Sequence, residues 1–364
     1  MAALDEFFRM MVARKASDLH FSTGARPMFR ISGEMAAIEG KGPLTREATR
    51  DTLWEIMPER NREEFKQRHD TDFAYSLAGA GRFRSNIFMD RNGIGGVFRL
   101  IPDKILTVDD LKPAEEIRKL CFLSKGLVLV TGPTGSGKST TLCALIDHIN
   151  QSRRDHIITV EDPIEFVHPN KNCLINQREV GIHTSGFASA LRAALREDPD
   201  IVLVGELRDL ETTRIAIETA ETGHLVFGTL HTNTAPSTVD RLINQFPANE
   251  QDQIRLMLAS SLKAVISQTL LKKTGGGRVA ALETMFVTSA IAANIREAKT
   301  YQIASVMQTG AKQGQVLLNE ALLRLVKAKL VDPKDAYIKA VDKEDLVRRF
   351  QGENIRVDLG ALGT

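Results

Sequence analysis

Between Val130 and Thr141 the chain reads VTGPTGSGKSTT. Residues Gly132 to Ser139 match G-x-x-x-x-G-K-[ST]. The apolar run LVLV (127–130) precedes them and the helical run TTLCALIDHI follows. That motif requires a strand, a tight glycine loop and a helix N-terminus in this order, which commits the surrounding chain to an α/β architecture. Glycines let backbone N–H groups close on phosphate oxygens with no Cβ in the way. The helix start adds partial positive charge. The expected cradle is Gly132, Pro133, Thr134, Gly135, Ser136, Gly137, Lys138, Ser139 and Thr140. Lys138 would reach the β- and γ-phosphates of a nucleoside triphosphate, and Ser139 would ligate Mg²⁺. A glycine-rich turn without a ligand is the plain alternative; the flanking strand and helix weigh against it. A guanine reader of the form N-K-x-D is approached by NKNC (Asn170–Cys173), but Cys173 stands where the base-binding aspartate belongs. ATP is therefore expected over GTP.

Cleaving a triphosphate needs one group to orient and deprotonate water and another to support the metal. Both are expected at the C-terminal ends of strands beside the loop strand. The segment HIITVEDPIEF puts Glu161 and Asp162 past one such strand. DPDIVLVGELRD puts Glu206 past another, with Arg208 and Asp209 following. A strand of this kind ordinarily ends in Asp, so Glu206 is a departure. The bland reading of either acid is a solvated loop carboxylate. His224 and His231 bracket the run LVFGTL (225–230). They are either structural or hydrogen-bond partners for a γ-phosphate or an acidic neighbour.

The 364 residues allow two domains. The first hundred read as a small α+β unit. A helix over about Leu4–Lys15 leads to strands at DLHFS and PMFRISGEM. Two amphipathic helices follow (TREATRDTLWEIM and PERNREEFKQRH), then three strands between residues 70 and 101. After Gly126 four short apolar blocks read as buried parallel strands: LVLV, HIITV (156–160), DIVLV (200–204) and LVFGTL. Helical patterns lie between them. Phe187, Ala190, Leu191, Ala194 and Leu195 form one such stripe, and Pro199 bars its continuation. This alternation predicts a doubly wound α/β domain. From about Pro236 the pattern is mainly helical, apart from RVAALETMFV (278–287). The expected division is an N-terminal domain over 1–102, a linker over 103–115, an ATPase domain over 116–348, and a patternless tail over 349–364 that is a candidate for disorder.

Lys and Arg number 48 and Asp and Glu 46, a net charge of +2 that gives no global reason to bind nucleic acid. Aromatics are 5% of the chain, and no basic stripe with interleaved rings is visible. Cys121, Cys143 and Cys173 form no C-x-x-C pair, which excludes a zinc element and a disulfide framework. No apolar stretch approaches the roughly 18 residues of a membrane span, and the start lacks a signal-peptide pattern. A soluble intracellular chain is expected, one that can still dock on a membrane complex.

Four of these segments, GPTGSGKSTT, VEDPIEF, LREDPDIVLVGELRD and TGHLVFGTLHTNTA, resemble in order and spacing the Walker A, Asp box, atypical Walker B and His box of the secretion ATPase superfamily. The resemblance continues through ASDLHFS, RFRSNIF, INQREVG, SQTLL and GRVAALE, covers roughly residues 5 to 345, and is closest to the type IV pilus retraction ATPases. It implies a PAS-like α+β domain before a RecA-like P-loop ATPase domain. It also implies a hexameric ring driven by ATP and Mg²⁺, cytoplasmic and peripheral at the inner-membrane pilus base, with a membrane platform protein as partner. By the same resemblance Glu161 would be the catalytic base, and Glu206 would support Mg²⁺ and the water network. His231, with His224 behind it, would sense the γ-phosphate or couple cleavage to movement. The family places N-terminal-domain arginines near the phosphates. Arg82 and Arg84 share a strand face by period-two alternation, with Arg91 and Arg99 on the adjoining hairpin. Arg82, Arg84 and Arg99 are the candidate arginine fingers, and a solvated strand face is the alternative for each.

Extension and type II secretion ATPases resemble the same core but usually add an N-terminal region and a four-cysteine zinc element. A start at the PAS-like unit and three cysteines therefore favour the retraction branch. One segment departs from it: retraction motors often bear AIRNLIRE where this chain has AIAANIRE (Ala290–Glu297). An accessory retraction paralogue is the nearest alternative. A nucleic-acid translocase and a nucleotide-gated assembly factor are alternatives of other classes.

Overall fold

The computed structural model describes residues 2–31, 33–101, 106–111 and 113–357. Two compact units emerge: Met1–Lys104 with Glu165–Val167, and Ile105–Ile164 with His168–Thr364. The expected boundary at Pro102 and the end of the expected tail (358–364) lie outside the described residues.

The first unit is built on a six-stranded antiparallel sheet, ordered β3-β2-β1-β6-β5-β4. Its strands are β1 (Asp18–Ser22), β2 (Met28–Ile31), β3 (Glu34–Ala37), β4 (Asp70–Leu77), β5 (Gly81–Asp90) and β6 (Gly93–Ile101). Along β5, Phe83, Ser85 and Ile87 point into the core while Arg82 and Arg84 point out, the period of two that a half-buried strand dictates. Helix Asp5–Ala13 lays Phe8 on this core, where its ring stacks on Phe83 at 4.1 Å and meets Phe98 edge-on at 5.2 Å. Helices Arg46–Ile56 and Glu59–Arg68 add Leu53, Ile56 and Phe65. The Thr45 side chain caps the first of them, accepting from Ala48 N. The first helix is shorter at both ends than Leu4–Lys15, because the chain turns at Arg14 into the left-handed Lys15 (φ 54°).

The second unit carries a seven-stranded sheet, ordered β13-β12-β7-β11-β10-β8-β9. The strands are β7 (Gly126–Thr131), β8 (His156–Glu161), β9 (Leu174–Glu179), β10 (Ile201–Val204), β11 (Leu225–Leu230), β12 (Leu262–Lys272) and β13 (Arg278–Phe286). All neighbours run parallel except β12 and β13. Alternate residues feed two cores. Leu127, Leu129, Val202 and Val204 enter one; Val128, Val130, Ile201 and Leu203 enter the other. Burial on both faces explains why these strands read as unbroken apolar blocks. A PAS-like α+β unit preceding a RecA-like α/β unit is the architecture expected from the sequence.

Three expectations change. The stretch Leu262–Lys272, expected as helix, is the strand β12. It lies between β7 and β13, is buried on both faces, and so offers no period to read. Helix Phe187–Ala194 ends before Leu195, which is 41% exposed rather than part of the buried stripe. Helix Lys343–Gly352 occupies the first residues of the expected patternless tail. Among the described residues no helix is long and apolar enough to cross a membrane.

Candidate functional site

Strand β7 delivers the chain to Gly132, and the helix Lys138–Ser152 takes over six residues later. Gly132 and Gly137 hold φ of 141° and 91°, which L side chains rarely adopt. The helix begins at Lys138, so the N–H groups of its first turn have no acceptor within the helix. Lys138 Nζ folds over the loop, donating to Gly132 O at 2.9 Å and Pro133 O at 3.3 Å. Ser136 is 2% exposed, and its Oγ has no hydrogen-bond partner among the described residues. A buried, unsatisfied hydroxyl beside orphan amides and an ammonium is costly unless an acceptor-rich anion completes it. The residues present fit a phosphate chain.

The sheet register puts the other candidates on the same edge. Leu230 of β11 pairs with Thr131 of β7, Val204 of β10 with Gly228 of β11, and Val160 of β8 with Val204. The loop, His231, Glu206 and Glu161 thus leave four neighbouring parallel strands at their C-terminal ends, where α/β sheets bind ligands. Glu161 is the last residue of β8. Its Oε1 accepts from Thr159 Oγ1 at 2.6 Å and from Gln177 Nε2 at 3.1 Å. Gln177, on β9, is fixed in turn by His168 N, which donates to its Oε1 at 2.7 Å. Glu206 sits between a histidine and an arginine. His231 Nε2 is 3.2 Å from its Oε1, and Arg208 Nε is 2.8 Å from its Oε2. Arg208 also reaches towards Asp162 at 3.8 Å. Thr229 Oγ1 donates to Gly205 O and ties β11 to the turn that carries Glu206. Glu206, Arg208, His231, Thr232 and Arg241 line a cavity of about 330 Å³.

Arg241, from helix Ala235–Asn244, is a site residue that sequence reasoning missed. Nothing in its local pattern marks it, since a single arginine on an amphipathic helix reads as a solvated face. His224 is not brought to this edge. It precedes β11 at the other end of the strand, roughly 20 Å away at the usual rise per residue. There its Nδ1 lies 3.2 Å from Thr219 O. The NKNC segment holds no base reader in this chain. Asn170 Oδ1 accepts from Ile175 N at 2.9 Å, and Cys173 is buried against Arg153 O at 3.3 Å. Burial pushes its thiol up from the ordinary range.

Arg82, Arg84 and Arg99 belong to the first unit. Arg84 on β5 pairs directly with Arg99 on β6. Arg99 Nε donates to Asp18 Oδ1 at 2.8 Å, and Asp18 is itself buried. Arg84 lies 3.9 Å from Asp72. Burial, then the charge of Arg30, pushes the nearby His20 down from its ordinary range.

The sequence model of the family described as "Type II/IV secretion system protein" matches residues 2–319. The "Type IV pilus retractation ATPase PilT" of Pseudomonas aeruginosa is 50% identical over 337 residues, 93% of this chain and 98% of that protein. A "Twitching motility protein" of Neisseria gonorrhoeae is 47% identical over 321 residues, 88% of this chain and 86% of that one. A crystal structure described as "the Pilus Retraction Motor PilT and Bound ADP" superimposes with a TM-score of 0.89 at 44% identity. It covers 96% of this chain and 99% of the other. The loop geometry, the shared strand edge and these likenesses agree: the chain belongs to the type II/IV secretion system protein family, as an ATP-hydrolysing enzyme of its pilus retraction branch.

Proposed function

We propose that this chain works as a hexameric, Mg²⁺-dependent ATPase that retracts type IV pili by drawing pilin out of the filament base, with a membrane platform protein as its immediate partner. One observation carries the reading. A phosphate loop and three polar side chains share one sheet edge, in a chain half identical to a pilus retraction ATPase over nearly all of that protein.

ATP lies with its phosphates against the loop N–H groups between Thr134 and Ser139, and Lys138 turns from the loop carbonyls to the β- and γ-phosphates. Ser139, on the first helical turn, would be the side-chain ligand for Mg²⁺. An ion held there would supply positive charge to the phosphate oxygens. Glu161 accepts a proton from the attacking water. Its carboxylate is held in place beforehand by Thr159 and Gln177, so little reorganisation is left to the reaction. Both Glu206 oxygens are engaged by His231 and Arg208. Glu206 would therefore support a bound Mg²⁺ through water, and it anchors His231 as a sensor of the γ-phosphate. Arg82, Arg84 or Arg99 of a neighbouring subunit supplies charge to the transition state.

Deleting the gene in a piliated host tests the direction of work. Retraction predicts that twitching is lost while surface pili are kept or increased. Loss of surface pili would assign the chain to extension, and unchanged twitching with a second retraction ATPase present would assign it an accessory role.

A further inference from the structure

We infer that Gln268, on β12, is a positioning residue that holds the phosphate loop in its binding shape. The inference rests on the reading that this loop takes ATP.

Strand β12 runs parallel beside β7 with Ser267 opposite Thr131, so Gln268 arrives where the loop departs at Gly132. It is 4% exposed. Its amide makes two bonds to two different elements. Nε2 donates to Ser136 O in the loop at 2.6 Å. Oε1 accepts from Thr141 Oγ1, in the first turn of the following helix, at 2.8 Å. A backbone carbonyl can only accept, which fixes the orientation of the amide.

The reason is built into a phosphate cradle. A nest that turns N–H groups inward to an anion turns carbonyls outward. A buried outward carbonyl costs free energy unless a donor meets it. Gln268 supplies that donor for Ser136. Because the same planar amide also holds Thr141, it sets the spacing between the loop and the helical turn bearing Lys138 and Ser139. Beside it, Ser267 Oγ lies 2.8 Å from Thr131 Oγ1, a second polar tie between β12 and the end of β7.

The close approach also reassigns part of the glycine pattern. A Cβ on Gly137 would come 2.7 Å from Gln268 Nε2, and a Cβ on Gly132 would overlap the Gln268 carbonyl oxygen. Two of the glycines are therefore required by the strand behind the loop as well as by the phosphates in front. No other side chain of this length has, in its ordinary charge state, a donor at one corner and an acceptor at the other. A carboxylate presents acceptors at both, and leucine presents neither.

Binding of the fluorescent nucleotide mant-ADP, with ATP turnover in parallel, tests the clamp in the full chain. Gln268→Leu and, at about pH 8, Gln268→Glu should each raise Kd about tenfold through a smaller fraction of loop in competent form. KM for ATP should rise by the same factor while kcat at saturation stays within about twofold, since the interaction is the same in ground and transition states. The carboxyl introduced by Gln268→Glu, once protonated, has the donor and acceptor of the native amide, and burial raises its pKa. Its Kd relative to the native chain should therefore fall back towards one between about pH 8 and 6, whereas the Gln268→Leu ratio should stay flat. If Gln268→Leu does not fold, the pH course of Gln268→Glu decides alone. Ratios near one at all pH values, or a loss in Gln268→Glu that ignores pH, would overturn the clamp. A Lys138→Ala control that binds mant-ADP as tightly as the native chain would instead overturn the site itself.

Discussion

At the scale of single residues, the arginine pair of the first unit stands out. Arg84 and Arg99 face each other directly across β5 and β6. Like charges so placed destabilise a sheet by up to roughly 1 kcal/mol. Asp18, buried beneath them, holds Arg99 by Nε and orients its fork. This arrangement suits a pair kept for contact with an anion better than one kept for folding. If either acts as an arginine finger, replacing Arg84 or Arg99 by Ala should lower ATP turnover of the protein by about 10³-fold, the lower range for that role. The fold of the unit should be unimpaired, as read by the fluorescence of Trp54, the chain's one tryptophan. Full turnover in single Ala variants of Arg82, Arg84 and Arg99 alike would exclude the role. Their shared face was legible from the alternation around Phe83; Asp18 beneath Arg99 was not, because their contact spans 81 positions of chain.

At the scale of elements, legibility followed burial. Strands β7, β8, β10 and β11 announce themselves because each is a short apolar block bounded by polar turns. The loop was legible down to the residue because its chemistry needs a fixed spacing. Strand β12 was hidden, and with it Gln268, because Leu262–Lys272 is buried on both sides and follows a long helical stretch. Its partner β13 carries Glu283, which no local pattern marks as special. This carboxylate is 3% exposed and accepts from Ala235 N at 2.6 Å and Leu318 N at 3.0 Å. It thereby docks the first residues of helices Ala235–Asn244 and Leu318–Lys327 onto the sheet. Burial pushes its carboxyl up, and the two amides oppose that shift. Glu283→Ala should leave both N–H groups unpaired and cost about 2–4 kcal/mol. Amide hydrogen exchange at Ala235 and Leu318 should quicken by at least tenfold, with the Trp54 signal of the first unit unmoved. Unchanged exchange at both amides would show that other contacts hold these helices.

At the scale of the whole molecule, the departing segment and the nucleotide edge occupy different parts of the second unit. The departing segment AIAANIRE forms the helix Ser289–Arg296. It is anchored by buried Ile291 and Ile295, with Ala292, Ala293 and Asn294 half-buried. The altered residues thus avoid the anchoring positions and lie outside the sheet edge that carries the loop. Their change therefore leaves the residues of the cleavage edge untouched. The central claim is that ATP is cleaved on the loop ahead of Lys138. Multiple-turnover phosphate release by the assembled chain, native against Lys138→Ala, tests it most directly. The account predicts turnover in the native chain and its loss in the variant, with the variant's circular dichroism unchanged. Equal turnover in both would contradict it.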